Sequence, residues 1–197
     1  MTKEQKKNYE KYTYYKCYKI KFCPVTFGDD KMTGKIHLFY AATTGGMLMP
    51  VLATGGLNTE QKIIAVITCG LGGLIPDIDC PNSMLGRMIY PIAYLIKKMF
   101  GHRTILHDPL FYIVLHFIIR ELTGVDYLQS SLLYQSIALG IGTHLFLDLM
   151  TQKGIQICFF FRLRLLKFKA ETLATTIFIA LLCVLNFGIA VLLKKYM

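Results

Sequence analysis

PDIDCPNSMLGR (Pro76–Arg87), GHRTILHD (Gly101–Asp108) and GTHLFLDL (Gly142–Leu149) interrupt a run of sequence that is otherwise largely apolar. With His37 in GKIHL upstream, they bring four of the five histidines and four aspartates into or beside apolar segments. Ionisable groups are costly there unless each finds a partner. A metal ion satisfies several of them at once. The pattern predicts an all-α, multi-helix, membrane-associated bundle built around a metal site.

Helix signals surround the motifs. Asn58 with Gln61 three residues on is a capping pair. It opens a helix that runs to about Ile75 and stops at Pro76, because the residue before proline is pushed out of the helical region. The apolar core of that helix, Ile63–Ile75, is short for a membrane span. Ser83 caps a helix of about Met84–Phe100, broken or kinked near Pro91. Asp108-Pro109 repeats the start signal and opens a helix to about Leu122. Another runs from about Gln129 to Met150. Between Ile36 and Asn58 there is no charge apart from His37, a length that suits a bilayer. Thr43, Thr44, Gly45, Gly46, Gly55 and Gly56 nevertheless mark this stretch as a helix-packing segment. Thr172–Leu193 is free of charge and closes with Lys194-Lys195, the signature of a C-terminal transmembrane helix. Strand alternation of any length is absent from the sequence, as are repeats.

Three regions follow. Residues 1–31 are a basic, Tyr- and Lys-rich extension without the apolar region of a signal peptide. Residues 32–161 form the helical metal-binding domain, and 162–197 a basic flank with the transmembrane helix. Hydrophobic residues make up 54% of the 197-residue chain and charged residues 17%, below the ~25% usual in soluble domains. Mean hydropathy is +0.45. The net charge of +10 sits on the flanks and leaves residues 35–150 neutral. Basic flanks beside apolar segments favour anionic lipids as partners. Nucleic acid, which a pI near 9.3 also suits, ranks lower because the basic residues border the most apolar sequence. Arg162, Arg164, Lys167 and Lys169 precede the last helix and two lysines follow it, which puts the domain on the cytoplasmic side. The six cysteines show no C-x-x-C pair and read as reduced thiols.

Among the ionisable residues, His144 and Asp148 lie four apart on one helix face. They either ligate one ion or hydrogen-bond each other. In extended backbone Asp77 and Asp79 point the same way and converge on a cation, with an ordinary acidic turn as the alternative. His102 and His107, five apart, diverge on a helix and read as loop ligands ahead of Pro109. Capping explains Asp108, and a satisfied core histidine explains His116. Arg87 and Arg103 sit inside the same motifs. A guanidinium grips planar oxyanions bidentately, so a phosphate-bearing substrate is one reading and pairing with a neighbouring carboxylate the other. The candidate ligands are His37, Asp77, Asp79, His102, His107, His144 and Asp148. Seven N/O donors exceed one tetrahedral zinc and suit two ions sharing a bridging group. Such a set fits zinc, manganese or iron rather than copper(I) or calcium. Water on such an ion ionises near pH ~7, so metal-bound hydroxide makes hydrolysis the natural chemistry.

The order GKIH, LxPDIDxPxSxLGR, GHR with a His four residues on, and THLxLDLxTxKG resembles the LexA-regulated, membrane-bound metal-dependent hydrolase family (YdjM-like proteins). The resemblance covers about residues 32–161, and the terminal apolar helix is of the same kind. It implies an integral protein of the inner (cytoplasmic) membrane with a helical core similar to zinc-dependent phospholipase C. It also matches His37, Asp77, Asp79, His102, His107, His144 and Asp148 to the family's polar positions. Three residues depart from the family's pattern: Cys80 stands where it has His, Thr104 where it has Gly, and Asp108 where it has Ser. Ser and Asp are both good N-caps, so the last change is benign.

The leading expectation is a membrane-bound metal-dependent hydrolase acting on a phosphoester or lipid. In it Asp77 or Asp79 bridges ions or acts as base, and Arg87 or Arg103 meets the oxyanion. The alternatives are a transport or ion-handling protein that uses the intramembrane His/Asp cluster, and a non-catalytic protein with a structural metal.

Overall fold

Capping chemistry decides where the helices begin. Asn58 Oδ1 accepts from Gln61 N–H at 2.8 Å while Asn58 N–H donates to Gln61 Oε1 at 3.0 Å, the reciprocal capping box. Ser83 and Asp108 each accept a backbone N–H of the following helix, at 2.9 Å in both cases. The computed structural model describes residues 34–53, 56–100, 105–151, 154–157, 161–166 and 173–196. The extension 1–31, His102 and Arg103 lie outside them.

In chain order the elements are α1 (Gly34–Leu52), α2 (Thr59–Gly72), a 3-10 turn (Ile75–Asp79), α3 (Met84–Met88), α4 (Tyr90–Phe100), α5 (Pro109–Thr123), α6 (Tyr127–Ser130), α7 (Leu132–Leu149), strands β1 (Ile155–Ile157) and β2 (Phe161–Leu163), and α8 (Leu173–Tyr196). The fold is all-α apart from one antiparallel hairpin, with Ile155 opposite Leu163. Three-residue strands are too short to leave an alternation in the sequence, and the pattern does not announce them.

The helix breaks follow local chemistry. The expected helix over Met84–Phe100 divides at Ile89, just ahead of Pro91, which favours the first turn of a new helix. The expected helix from Gln129 divides at Ser131, whose side chain caps α7. The helix expected to reach Asn58 ends at Leu52.

Helices α1, α2 and α7 form the centre of the bundle, and they approach closely through glycine. A Cβ on Gly45 would fall 2.5 Å from Cys69 Cβ, and one on Gly72 would fall 2.5 Å from the Ile137 carbonyl oxygen. Helix α8 docks along α1 through a core of Tyr40, Leu147 and Ile179. Asn186 Nδ2 also donates to Tyr40 Oη at 3.2 Å and Thr44 Oγ1 at 3.1 Å. Higher numbers on α1 meet higher numbers on α8, so the two run parallel. His37, Asp79, His107 and Asp148 consequently share one end of the bundle with the start of α8.

Among the described residues, three segments are long and apolar enough to cross a membrane: Thr59–Asp79, Leu132–Leu149 and Ala174–Lys195. The first corrects the expectation that Ile63–Ile75 is short, because the 3-10 turn extends α2 to 21 residues. Most of α8 is exposed, and α5 buries no residue while presenting Ile113, Phe117, Ile118 and Leu122 outward. Apolar surface on this scale is what a bilayer covers.

Asp108 Oδ1 on Leu110 N–H makes a local prediction. Asp108→Ser, which keeps a capping oxygen, will leave stability in detergent near that of the parent, whereas Asp108→Ala will cost about 1 kcal/mol. Thermal unfolding followed by circular dichroism tests the difference.

Candidate metal centre

Folding brings six of the seven candidate ligands to one place. His37 comes from the first turn of α1, Asp77 and Asp79 from the 3-10 turn, His107 from the residues just before α5, and His144 and Asp148 from the last turns of α7. Asp148 lies at the middle, fully buried. Its Oδ1 is 3.8 Å from His37 Nε2, and its Oδ2 is 3.4 Å from His107 Nε2 and 3.7 Å from His144 Nε2. Asp77 Oδ1 lies 3.6 Å from His107 Nε2. The His37 and His144 rings stack with centroids 3.8 Å apart, and His107 meets His144 edge-on at 5.3 Å.

These spacings fit ligands of a cation. A hydrogen bond between nitrogen and oxygen wants about 2.7–3.2 Å. Two donors held on one tetrahedral ion at about 2.0–2.1 Å lie about 3.3 Å apart. Two sets of three, His37, His144 and Asp148, and Asp77, His107 and His144, have donor atoms within 4.8 Å of one another and can hold a metal ion. The buried Nε2 of His144 has no hydrogen-bond partner, as expected of a ligand atom facing the centre.

The backbone explains why that nitrogen is available. His144 Nδ1–H donates to the Gly73 carbonyl at 2.7 Å, which sets the tautomer and leaves a lone pair on Nε2. Pro76, three residues after Gly73, has no N–H, and Asp77 N–H turns to the Leu74 carbonyl at 3.2 Å. The end of α2 therefore leaves the Gly73 oxygen open for the histidine. This second partner escaped sequence reasoning, although the Gly-x-x-Pro spacing is its signal.

Asp77 and Asp79 do not converge on one point. They sit in a 3-10 turn rather than extended backbone, so side chains two apart diverge. Asp77 faces His107 Nε2, whereas Asp79 Oδ2 lies 3.9 Å from Nδ1 on the opposite edge of the ring. At that distance Asp79 faces the ring without a hydrogen bond to it. Asp77, whose side chain is 14% exposed, is the open rim of an otherwise closed cluster.

Arg87 is exposed, and its Nε donates to the Asn82 carbonyl at 3.0 Å. Its observed contact is thus local to the loop. Cys80 is half-buried with a free thiol. His116 behaves as expected of a satisfied histidine, with Nδ1 3.3 Å from Tyr134 Oη and Nε2 3.8 Å from Asp126.

Tyr112 is a further residue that sequence alone does not single out. Its hydroxyl donates to the Leu106 carbonyl at 2.8 Å, beside His107. Tyr112→Phe will loosen the His107 loop and weaken metal retention by about 10-fold, in the range for loss of a supporting partner. Competition with a metal chelator measures it.

With this geometry in view, sequence comparisons are informative. The chain matches the YdjM inner membrane protein family over residues 32–195. It belongs to that family. The uncharacterized protein YvsG of Bacillus subtilis is 30% identical over 128 residues, covering 65% of this chain and 73% of the relative. The inner membrane protein YdjM of Escherichia coli is 32% identical over 133 residues, and the one from Shigella flexneri matches equally. Those alignments cover 63% of this chain and 63% of either YdjM protein, so the chain spans less than two thirds of their length. No solved structure matches the chain. Membership of an inner membrane family, with three helices apolar enough to span, makes this an integral protein of the inner (cytoplasmic) membrane.

Proposed function

We propose that this YdjM-family protein is a membrane-bound metal-dependent hydrolase whose substrate is a phosphoester or lipid. The observation that carries the reading is the convergence of three imidazoles and two carboxylates, from four separate segments, at spacings of 3.4–3.8 Å. Asp148 turns one oxygen to His37 and the other to His107 and His144, so it would contribute to holding an ion in this cluster. His144 is common to both triads, so a metal bound here would be held by His37, His144 and Asp148 on one side of the cluster and by Asp77 and His107 on the other. Zinc suits this donor set, as do manganese and iron. A divalent ion held there supplies Lewis acidity and lowers the pKa of a coordinated water to about 7. The Gly73 carbonyl holds His144, Asp79 faces the far edge of the His107 ring, and Asp77 at the open rim is the group best placed to take a proton from water. Arg103 remains the candidate for a substrate oxyanion.

A transport path is less well supported. The ionisable cluster occupies one end of the bundle, and further along the axis Gly45 packs closely on Cys69. A purely structural metal is distinguished by experiment. Detergent-purified protein is expected to keep about two equivalents of divalent metal through dialysis and to hydrolyse a phosphodiester or phospholipid in a substrate screen. Protein that holds no metal overturns the reading. Metal without turnover across such a screen, joined to unfolding on chelation, favours the structural role.

A further inference from the structure

Helix α4 carries a surface that the metal centre does not use. Ala93 is fully buried, and Ile89 and Ile96 beside it are half-buried. These form the side that meets the protein, where α4 packs against the 3-10 turn bearing Asp77 and Asp79. Ile92, Leu95 and Met99 make a second stripe at i, i+3 and i+7, exposed by 54%, 55% and 70%, and Met88 extends it at 82%. Tyr94 and Lys98 occupy the remaining face, with Lys97 also in the last turn. A helix with one apolar side and one aromatic and basic side is built for a membrane interface.

The path of the chain agrees. It leaves the metal end of the bundle at Asp79 and is back there at His107. Helix α4 is only about 16 Å long, at 1.5 Å per residue, against a hydrocarbon core of about 30 Å, so this segment does not cross. A re-entrant course would draw Lys97 and Lys98 into hydrocarbon, where ammonium groups are costly. A flat course gives them lipid phosphates instead. Basic charge gathers at the same end among the described residues: Lys35 opens α1, Arg87 lies in the last turn of α3, and Arg164 follows the hairpin that comes after α7.

We propose that α4 lies on the anionic headgroup layer of the membrane that the bundle spans. In that position Ile92, Leu95 and Met99 enter the acyl boundary beside the metal centre, and Lys97 and Lys98 meet lipid phosphates. This goes beyond the hydrolase reading and stands or falls without it.

The chain contains no tryptophan, so a single introduced one reports without background. Full-length Ile92→Trp, Met99→Trp and Tyr94→Trp variants are reconstituted in nanodiscs of phosphatidylcholine with or without phosphatidylglycerol. Trp at 92 and 99 is expected to emit blue-shifted light, to resist acrylamide several-fold better than Trp at 94, and to be quenched most by lipids brominated near the headgroup. Adding Lys97→Glu with Lys98→Glu is expected to reduce that shielding in phosphatidylglycerol discs. Equal acrylamide quenching at 92, 94 and 99 overturns the proposal by putting the stripe in water. Strongest quenching from bromines at the bilayer centre overturns it in favour of a re-entrant helix. Shielding without any lipid quenching overturns it in favour of a second protein copy. None of these readouts depends on bound metal.

Discussion

Asp148→Asn will abolish the divalent-metal binding proposed for this cluster while leaving the helices folded. Three imidazoles from three segments approach the two oxygens of this one carboxylate at 3.4–3.8 Å. Asn keeps the shape and removes the negative charge that a divalent ion requires. Metal affinity is expected to fall by more than the 10–100-fold that loss of a supporting partner costs. Stability of the metal-free protein should move the other way or not at all. A carboxylate with no exposure is costly to keep charged once its cation is gone, and a neutral amide relieves that cost. Elemental analysis after dialysis reads the first effect, and thermal unfolding of chelated protein the second. Parental metal content in the variant would show that these residues are not the metal centre. Unfolding of the variant even in metal-free form would show that Asp148 is a structural residue.

The second large effect is expected at a glycine that carries no side chain of its own. A methyl on Gly72 would lie 2.5 Å from the Ile137 carbonyl oxygen and 3.0 Å from its Cα, so it meets rigid backbone. Gly72→Ala will therefore wedge α2 from α7 and destabilise the protein by about 1–3 kcal/mol, the usual range for overpacking. The same displacement pulls the Gly73 carbonyl from His144 Nδ1, so metal retention falls as well. Gly142→Ala is the control, because nothing lies within 4 Å of its added methyl. In the middle of α7 it should be neutral or stabilising by up to about 1 kcal/mol, since alanine is the better helix former. Thermal unfolding and metal content of the two variants side by side test both statements. Equal stability of Gly72→Ala and Gly142→Ala would mean that the close crossing does not hold the centre together.

Much of this was legible in the residues. The caps at Asn58, Ser83 and Asp108 are where the chain indicates, since capping depends on neighbours within three positions. The C-terminal span over Ala174–Lys195 is equally direct, because length and hydropathy are sums along the chain. His144 and Asp148 share a face because helical spacing dictates it. Asp77 and Asp79 show the opposite case. Their partnership depends on the backbone between them, and a 3-10 turn sends one to each edge of the His107 ring. The Gly73 carbonyl and the Tyr112 hydroxyl escaped notice because neither group is distinctive until a distant segment meets it.

By itself, then, the sequence determined which segments are helical, which are apolar enough for a bilayer, and that imidazoles and carboxylates lie in apolar surroundings where each needs a partner. Those are local or additive properties. Only the tertiary structure decided that Asp148 stands at the middle, that Asp77 and Asp79 face opposite edges of His107, and that α4 turns an apolar stripe away from the bundle. Those outcomes depend on how closely α1, α2 and α7 approach, and glycine-lined crossings between distant residues set that distance.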